Sequence, residues 1–304
     1  MEHGQLIWMD GELVPWDEAQ IHVLSHALHY GTGVFEGIRA YQTDSGPGLF
    51  RLTDHMERLH SSAEAYSIPL SYSVDELCKA AREVVTRNGL HDGYLRPLVF
   101  LGLGSIGLNP EGAATQSIIA AWKWGAYHGD EGVRKGITAM ISSWRRIEST
   151  ALVASAKGSG GYLNNVMAKA EALRSGAEEA LVLNAEDKVV EASGMNVFIV
   201  KDGVVITPPP ADGILPGITR ASVMTLLSDA GHPVREQSIT REDTYAADEV
   251  FLTGTAAEVA PIRQVDDRPI SSGRPGPVTQ LAQRLYGQAV RGELDSYRGW
   301  VELV

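Results

Sequence analysis

The chain has 304 residues, 44% hydrophobic and 21% charged, an ordinary globular composition that excludes a disordered chain and suits two compact domains or one large one. Its 26 basic and 38 acidic residues give a net charge of −12 with no run of lysine or arginine; nucleic acid is therefore a poor partner, while a small anion, which responds to its pocket, is not excluded. Cys78 is the only cysteine, which rules out an internal disulfide or a thiolate cluster and fits a reducing compartment, so a cytoplasmic protein is expected.

Met1-Glu2-His3-Gly4 does not read as the start of a signal peptide, and no apolar run is long enough to span a bilayer. Leu6 to Val14 reads as two short strands about an Asp10-Gly11 turn. A helix is expected from Thr53, where Met56, Leu59, Ala63 and Tyr66 recur at helical spacing. A second runs from Val74 to Asn88 with Gly89 as its cap, and Cys78 within it reads as a small core residue. Apolar strands follow at Tyr94 to Leu101 and Ser117 to Trp122. Gly125 to Gly132, rich in glycine and charge, is the best domain boundary. Beyond it, Glu179 to Asn184 and Val189 to Val205 read as hairpin-linked strands, with helices at Tyr162 to Ser175, Ile218 to Ala230 and Pro277 to Val290. This mixture indicates α+β rather than a doubly wound sheet.

Several segments carry candidate chemistry. The string Gly158-Ser159-Gly160-Gly161 lacks the ending of a phosphate loop and the full dinucleotide pattern, so it is not read as a nucleotide site. His22, His26 and His29 are spaced as ligands on a helix face would be, but no carboxylate accompanies them; local packing is the better reading and no metal is expected. Lys79, Lys123, Lys135, Lys169, Lys188 and Lys201 sit beside charged or turn residues or on expected solvent faces. Lys157 differs, lying between Ala154-Ser155-Ala156 and Gly158-Ser159-Gly160 with no neighbouring charge. A loop lysine is ordinarily a surface group, but this setting also gives the low polarity and the room that a Schiff-base amine requires. Glu191 closes a strand and is either a solvated edge or a group facing a ligand. Gly213 to Arg220 is a plain Pro-Gly helix start, or an anion site made of free amides and the Thr219 hydroxyl. Leu252-Thr253-Gly254-Thr255-Ala256-Ala257-Glu258 is a small-residue turn whose amides suit a phosphate or carboxylate.

Together these segments resemble the branched-chain amino acid aminotransferases of the type IV pyridoxal-phosphate fold. The likeness is carried by His26-Ala27-Leu28-His29-Tyr30-Gly31-Thr32-Gly33-Val34-Phe35-Glu36-Gly37-Ile38-Arg39, by Phe50 to Leu59, and by Tyr94-Leu95-Arg96-Pro97. It continues through Lys157 to Leu163, Glu191 to Asn196, Leu215 to Arg220 and Ser238 to Pro261, in order and over nearly the whole chain. The resemblance implies an α+β, two-domain fold: a smaller N-terminal α/β domain at 1–124, a linker at 125–135, and a larger cofactor-binding domain with barrel-like β-structure at 136–304.

It also implies pyridoxal 5'-phosphate as cofactor and residue roles. Lys157 resembles the Schiff-base lysine and proton shuttle, Glu191 the carboxylate that keeps the pyridine nitrogen protonated, and Tyr162 the phenol on the ring oxygen. Arg58, the Ile218 and Thr219 amides and Thr255 resemble the phosphate clamp, with Leu215 packed on the ring. Tyr94, Ala256 and Ala257 would hold the α-carboxylate; Phe35, Gly37, Tyr30 and Tyr127 would line an apolar side-chain pocket; Arg96 and Tyr30 would receive a second carboxylate. Ile106 and Leu108, on the loop Ser105 to Asn109, would close the pocket of a neighbouring subunit, which implies at least a dimer and leaves a hexamer open. The implied reaction is ping-pong amino transfer between leucine, isoleucine or valine and 2-oxoglutarate. D-Amino acid aminotransferases and aminodeoxychorismate lyases share the fold, but Tyr94-Leu95-Arg96 and the segment Tyr30 to Arg39 favour the L-branched-chain group. Retention of both Lys157 and Glu191 argues against a catalytically dead binding protein.

Overall fold

The computed structural model describes residues 3–125, 127 and 129–304. Met1 and Glu2 of the opening segment, and Ala126 and His128 of the expected glycine-rich boundary, lie outside the described residues. The chain divides into two compact units, one of Met1–Gly125, Ala156–Gly161 and Gln288–Val304, the other of Ala126–Ser155 and Tyr162–Gly287. Two segments that the sequence reading places in the second domain thus pack with the first unit.

In the first unit, β1 (Leu6–Met9) and β2 (Glu12–Pro15) form the expected hairpin, with Asp10 and Gly11 both at positive φ. β3 (Gly33–Phe35), β4 (Ile38–Thr43), β5 (Gly46–Phe50), β6 (Gly93–Leu101) and β7 (Thr115–Trp122) complete an antiparallel sheet with the strand Val301–Leu303, which pairs with β5. The short helix α1 (His26–Tyr30) stops at Gly31, in the left-handed conformation. α2 (Leu52–Ala65) and α3 (Val74–Arg87) bury Leu52, Met56, Leu59, Leu77, Cys78, Val84 and Val85 in one cluster with Ile38, Leu49, Leu95, Val99 and Ile119 of the sheet. Each large aliphatic side chain there contributes about 1.5–3 kcal/mol. α3 starts at a capping box, Ser73 with Glu76. α2 has no such cap: Arg51 precedes it at φ 54° and its side chain makes no capping hydrogen bond, pairing instead with Asp54. Its acceptor comes from far along the chain, since Glu302 accepts from Thr53 N–H at 2.8 Å and from the Thr53 hydroxyl at 2.9 Å, and pairs with Arg82 at 2.5 Å.

The second unit opens with α4 (Gly129–Lys135), within the expected linker. Its sheet runs through β8 (Ile137–Arg145), β9 (Glu179–Leu183), β10 (Lys188–Ala192), β11 (Asn196–Lys201) and β12 (Val204–Thr207). It continues with β13 (Val234–Glu236), β14 (Ile239–Thr240), β15 (Glu249–Gly254) and β16 (Glu258–Val265). Six strands close on themselves in the order β8-β9-β10-β11-β15-β16 and back to β8, the pairings β8–β9 and β16–β8 being parallel. Alternate residues of these strands share one buried cluster, among them Ile137, Ala139 and Ile141 of β8, Leu181 and Leu183, Val197 and Ile199, and Val250 and Leu252.

α5 (Tyr162–Arg174) sets Ala168 and Ala172 against Ala180, Val182 and Val190 on the other face of the strands. α6 (Ile218–Asp229), α7 (Arg241–Tyr245) and α8 (Pro277–Val290) complete the unit, and buried Glu249 accepts from the Val278 and Thr279 amides at the start of α8. The α+β class and the barrel-like β-structure expected from the sequence are both present. No helix among the described residues is long and apolar enough to cross a membrane.

One lysine departs from its expected solvent face. Lys169 Nζ lies 2.7 Å from Glu179, which is 0% exposed, and 2.6 Å from the Glu178 carbonyl oxygen. A carboxylate buried at the start of β9 is costly without a cation beside it, and Lys169 on α5 provides one.

The cap on α2 is open to a direct test. Glu302→Ala removes the acceptor for Thr53 and the partner of Arg82, and is expected to lower stability by about 1–2 kcal/mol. Denaturant unfolding measures this, and an unchanged midpoint would show that the cap contributes nothing.

Candidate active site

Lys157 is half-buried, and its main chain is held on both sides. Its N–H donates to Ser62 Oγ at 3.0 Å, and its carbonyl accepts from Phe35 N–H at 3.1 Å. Gly158 bridges to Val34, and Gly160 N–H donates to the Gly31 carbonyl at 3.1 Å. The glycines make this approach possible: a Cβ on Gly31 would stand 2.6 Å from Gly160 Cα, and one on Gly158 would stand 2.7 Å from the Tyr66 ring. Lys157 Nζ is 5.0 Å from the centroid of the Phe35 ring, and the Arg96 guanidinium carbon is 4.8 Å from the same centroid.

Arg58 lies on α2 and forms a two-point pair with Glu36, Nε to Oε1 at 2.6 Å and Nη2 to Oε2 at 2.9 Å. His55 Nδ1 donates to Glu36 Oε2 at 2.7 Å. Glu36 is fully buried and His55 nearly so. Burial alone would raise the Glu36 carboxyl, but the Arg58 guanidinium and the His55 ring outweigh it and hold the group well below the usual carboxylate range. Burial pushes the His55 imidazole below its ordinary 6.5 against the pull of Glu36, and the charges of Arg58 and Lys157 push the same way. Neither Glu36 nor His55 is among the residues expected at the site from sequence. His55 and Arg58 stand three apart on one helix face, but nothing local marks Glu36 as their partner.

Tyr94 and Arg96 share a face of β6, as strand alternation requires, with Arg96 Nη2 3.4 Å from the Tyr94 hydroxyl. Arg96 Nε is buried without a hydrogen-bond partner among the described residues. Gly37 makes room for Tyr94, because a Cβ there would fall 1.8 Å from the hydroxyl oxygen. Trp122 and Trp124, which the sequence reading passed over, each have a ring centroid 5.2 Å from that of Tyr94. Tyr30 is 44% exposed, and its ring is 4.7 Å from that of His26. His26 Nε2 bonds the Gly107 carbonyl and Nδ1 bonds the Thr32 hydroxyl, both at 2.8 Å, so its spacing from His22 and His29 reflects local packing. Ile106 and Leu108 project from the same loop, 77% and 84% exposed.

The second unit gathers the other expected residues. Glu191 on β10 is the register partner of Asn196 on β11. It is 5% exposed, so it is not a solvated edge; it accepts from Arg146 Nε at 2.9 Å and from Leu215 N–H at 3.1 Å. Asn196 Nδ2 donates to the Leu215 carbonyl at 2.9 Å, which fixes Leu215 from both sides. Gly217 precedes α6 with no side-chain cap, and a Cβ on it would stand 2.0 Å from Asn196 Oδ1. The first α6 amides, at Ile218 and buried Thr219, therefore form an N-terminus suited to an anion. Thr253 on β15 is the register partner of Asn196, its buried hydroxyl without a hydrogen-bond partner among the described residues, and Thr255, Ala256 and Ala257 follow in the turn to β16. Tyr162 opens α5, half-buried; Tyr127 is 44% exposed, with Lys169 Nζ 5.8 Å from its ring centroid. Arg146, the cation on Glu191, was also passed over by the sequence reading.

Compared with known proteins, residues 33–265 match the family described as Amino-transferase class IV. The branched-chain-amino-acid aminotransferase of Escherichia coli (strain K12) is 47% identical over 299 residues, 98% of this chain and 97% of its own. The crystal structure of the Escherichia coli branched-chain amino acid aminotransferase matches with a TM-score of 0.96 at 46% identity, covering 98% of this chain and 99% of that one. A T.th. branched-chain amino acid aminotransferase complexed with N-(5'-phosphopyridoxyl)-L-glutamate gives 0.95 at 44% identity, covering 100% and 99%.

His55 sets a pH dependence of stability. Its folded-state pKa lies below its unfolded value, so the unfolded chain takes up the proton first; the contribution is complete above 6.5 and is lost as pH falls below it toward the folded value. Glu36 acts in a lower window, its contribution present above 4.5 and lost only far below that. Unfolding measured at about pH 7.5 and about pH 5.5 is expected to show a larger loss for wild type than for His55→Asn, which keeps a donor and does not titrate. Equal losses would remove His55 as the cause.

Proposed function

The chain belongs to the class IV aminotransferases, and from that premise we propose that it moves the amino group between leucine, isoleucine or valine and 2-oxoglutarate, giving branched-chain 2-oxo acids and L-glutamate in a ping-pong sequence. It is an enzyme, and its cofactor is pyridoxal 5'-phosphate. The observation that best supports the substrate reading is the Phe35 ring, which has the Lys157 amine and the Arg96 guanidinium each within 5.0 Å of its centroid. An apolar surface for an aliphatic side chain thus adjoins a cation suited to a carboxylate.

The residues fit the cofactor by the chemistry of their donors. The uncapped start of α6, with Gly217 too crowded for a Cβ, suits a phosphate, and buried Glu191 suits a protonated ring nitrogen. Arg58, the Ile218 and Thr219 amides and Thr255 would hold the phosphate, Tyr162 the ring oxygen, and Leu215 would pack on the ring. When bound, the cofactor supplies an electron sink for the charge that develops as the α-proton leaves. Lys157 would hold it covalently and carry the proton at the substrate α-carbon as base and then acid. Arg146, by pairing with Glu191, balances its charge and orients it. Tyr94, Ala256 and Ala257 would take the α-carboxylate, and Phe35, Gly37, Tyr30 and Tyr127 the aliphatic side chain. Arg96 and Tyr30 would take the second carboxylate of glutamate. Ile106 and Leu108 would serve a neighbouring subunit in a cytoplasmic homo-oligomer.

Incubation with leucine and 2-oxoglutarate should yield 4-methyl-2-oxopentanoate and glutamate. Lys157→Ala is expected to slow this by on the order of 10⁴-fold or more, since both anchor and proton carrier go. Near-normal turnover by that variant, without added amines, would sink the assignment.

Arg96→Ala separates the two donors. It is expected to cost about 2–4 kcal/mol with glutamate, as when one partner of a buried charge pair is removed, and much less with leucine. Single-turnover assays of each donor provide the measurement. Equal losses would assign Arg96 to the shared α-carboxylate or to the scaffold.

A further inference from the structure

Glu36 and His55 are buried titratable groups that the reaction above does not use. A carboxylate taken fully out of water is costly, and an apolar side chain would fill the same core without that penalty. Glu36 instead engages four donors: Arg58 Nε on Oε1, and Arg58 Nη2, His55 Nδ1 and Gly37 N–H on Oε2. The two-point contact fixes the plane of the guanidinium, not only its distance. His55 in turn fixes the carboxylate from one turn earlier on the helix that carries Arg58.

The same two elements grip Lys157. His55, Arg58 and Ser62 stand at i, i+3 and i+7 on α2, on one face. Ser62 Oγ accepts from Lys157 N–H, while Phe35, the residue before Glu36, donates its N–H to the Lys157 carbonyl. One face of α2 and the dipeptide Phe35-Glu36 therefore hold Lys157 by its main chain and Arg58 by its side chain.

We propose that Glu36 and His55 are positioning residues, which aim the Arg58 guanidinium at the cofactor phosphate and keep that anion site in register with Lys157. The proposal rests on the assignment of Arg58 to the phosphate. The protonation states agree with it: burial keeps His55 neutral, so it donates from Nδ1 to a carboxylate that Arg58 keeps ionised. Glu36 balances the charge of Arg58, so the phosphate meets a directed donor more than an uncompensated cation.

The test uses the full chain freed of cofactor, titrated with pyridoxal 5'-phosphate and separately with pyridoxal, which lacks the phosphate. The ratio of the two dissociation constants reads phosphate recognition alone. His55→Leu is expected to reduce that ratio by about tenfold or more, and His55→Asn, with an amide donor in place of Nδ1, to stay within about threefold of wild type. In an Arg58→Ala background, His55→Leu should change the ratio no further, because its effect passes through Arg58. A wild-type ratio in His55→Leu, even with lowered stability, would overturn the proposal and leave a structural role. So would an equal further loss in the Arg58→Ala background. If Arg58→Ala itself keeps the wild-type ratio, the assignment of Arg58 to the phosphate fails, and the proposal falls with it. Should His55→Leu not fold, His55→Gln, whose donor sits nearer the Nε2 position, replaces it: a loss in Gln but not in Asn is expected, and equal ratios would overturn the proposal.

Discussion

Lys157 donates its N–H to Ser62 Oγ and accepts Phe35 N–H at its carbonyl, and Gly160 N–H donates to the Gly31 carbonyl; these bonds hold the segment that carries the amine proposed to react. A lysine side chain is long and flexible, so its amine is only as well placed as the backbone beneath it. The first unit supplies that backbone from β3 and α2, elements whose own positions are set by the Leu52, Met56 and Leu59 core. The placement of this unit's other candidate residues follows from that anchoring. Phe35 presents its ring where its amide is already committed, and Gly31, Gly37 and Gly158 lack side chains where one would collide with a neighbour.

The second unit solves a different problem, the placement of a buried carboxylate. Closure of six strands brings β10 beside β11 and makes Glu191 and Asn196 register partners. Both then converge on Leu215, one accepting from its amide and the other donating to its carbonyl. Beneath the β10–β11 turn, Glu179 accepts from Ser193 and from the Ala180 amide, and Lys169 balances its charge. Two buried acids and their cations, Arg146 and Lys169, thus specify one turn geometry, at a desolvation cost that an apolar core would avoid.

Local patterns made much of the fold legible. The 3.6 periodicity of 53–66 and 74–88, the Asp10-Gly11 turn and the strand alternation at Tyr94-Leu95-Arg96 all have counterparts in the structure. Lys157 stood out by its neighbours, and its glycines by their number. The groups that were not legible depend on partners distant in sequence. Glu36 looks like any strand-end acid until α2 brings Arg58 and His55 to it, and Arg146 lies 45 residues from Glu191. Trp122 and Trp124 reach Tyr94 only through the β6–β7 pairing and the chain just beyond it. The assembly of the first unit from three stretches of chain has no sequence marker at all.

That discontinuity bears on how the protein is made. When residues 1–125 have left the ribosome, the strand Val301–Leu303 that flanks β5 does not yet exist, nor does Glu302 at the start of α2. At about 5–20 residues per second, the roughly 180 residues between them take on the order of 10–35 s to translate. Throughout that interval β5 is an open sheet edge, able to pair with another nascent chain. Pro47 within β5 offers no N–H to such a partner, which blunts the edge until its own strand arrives.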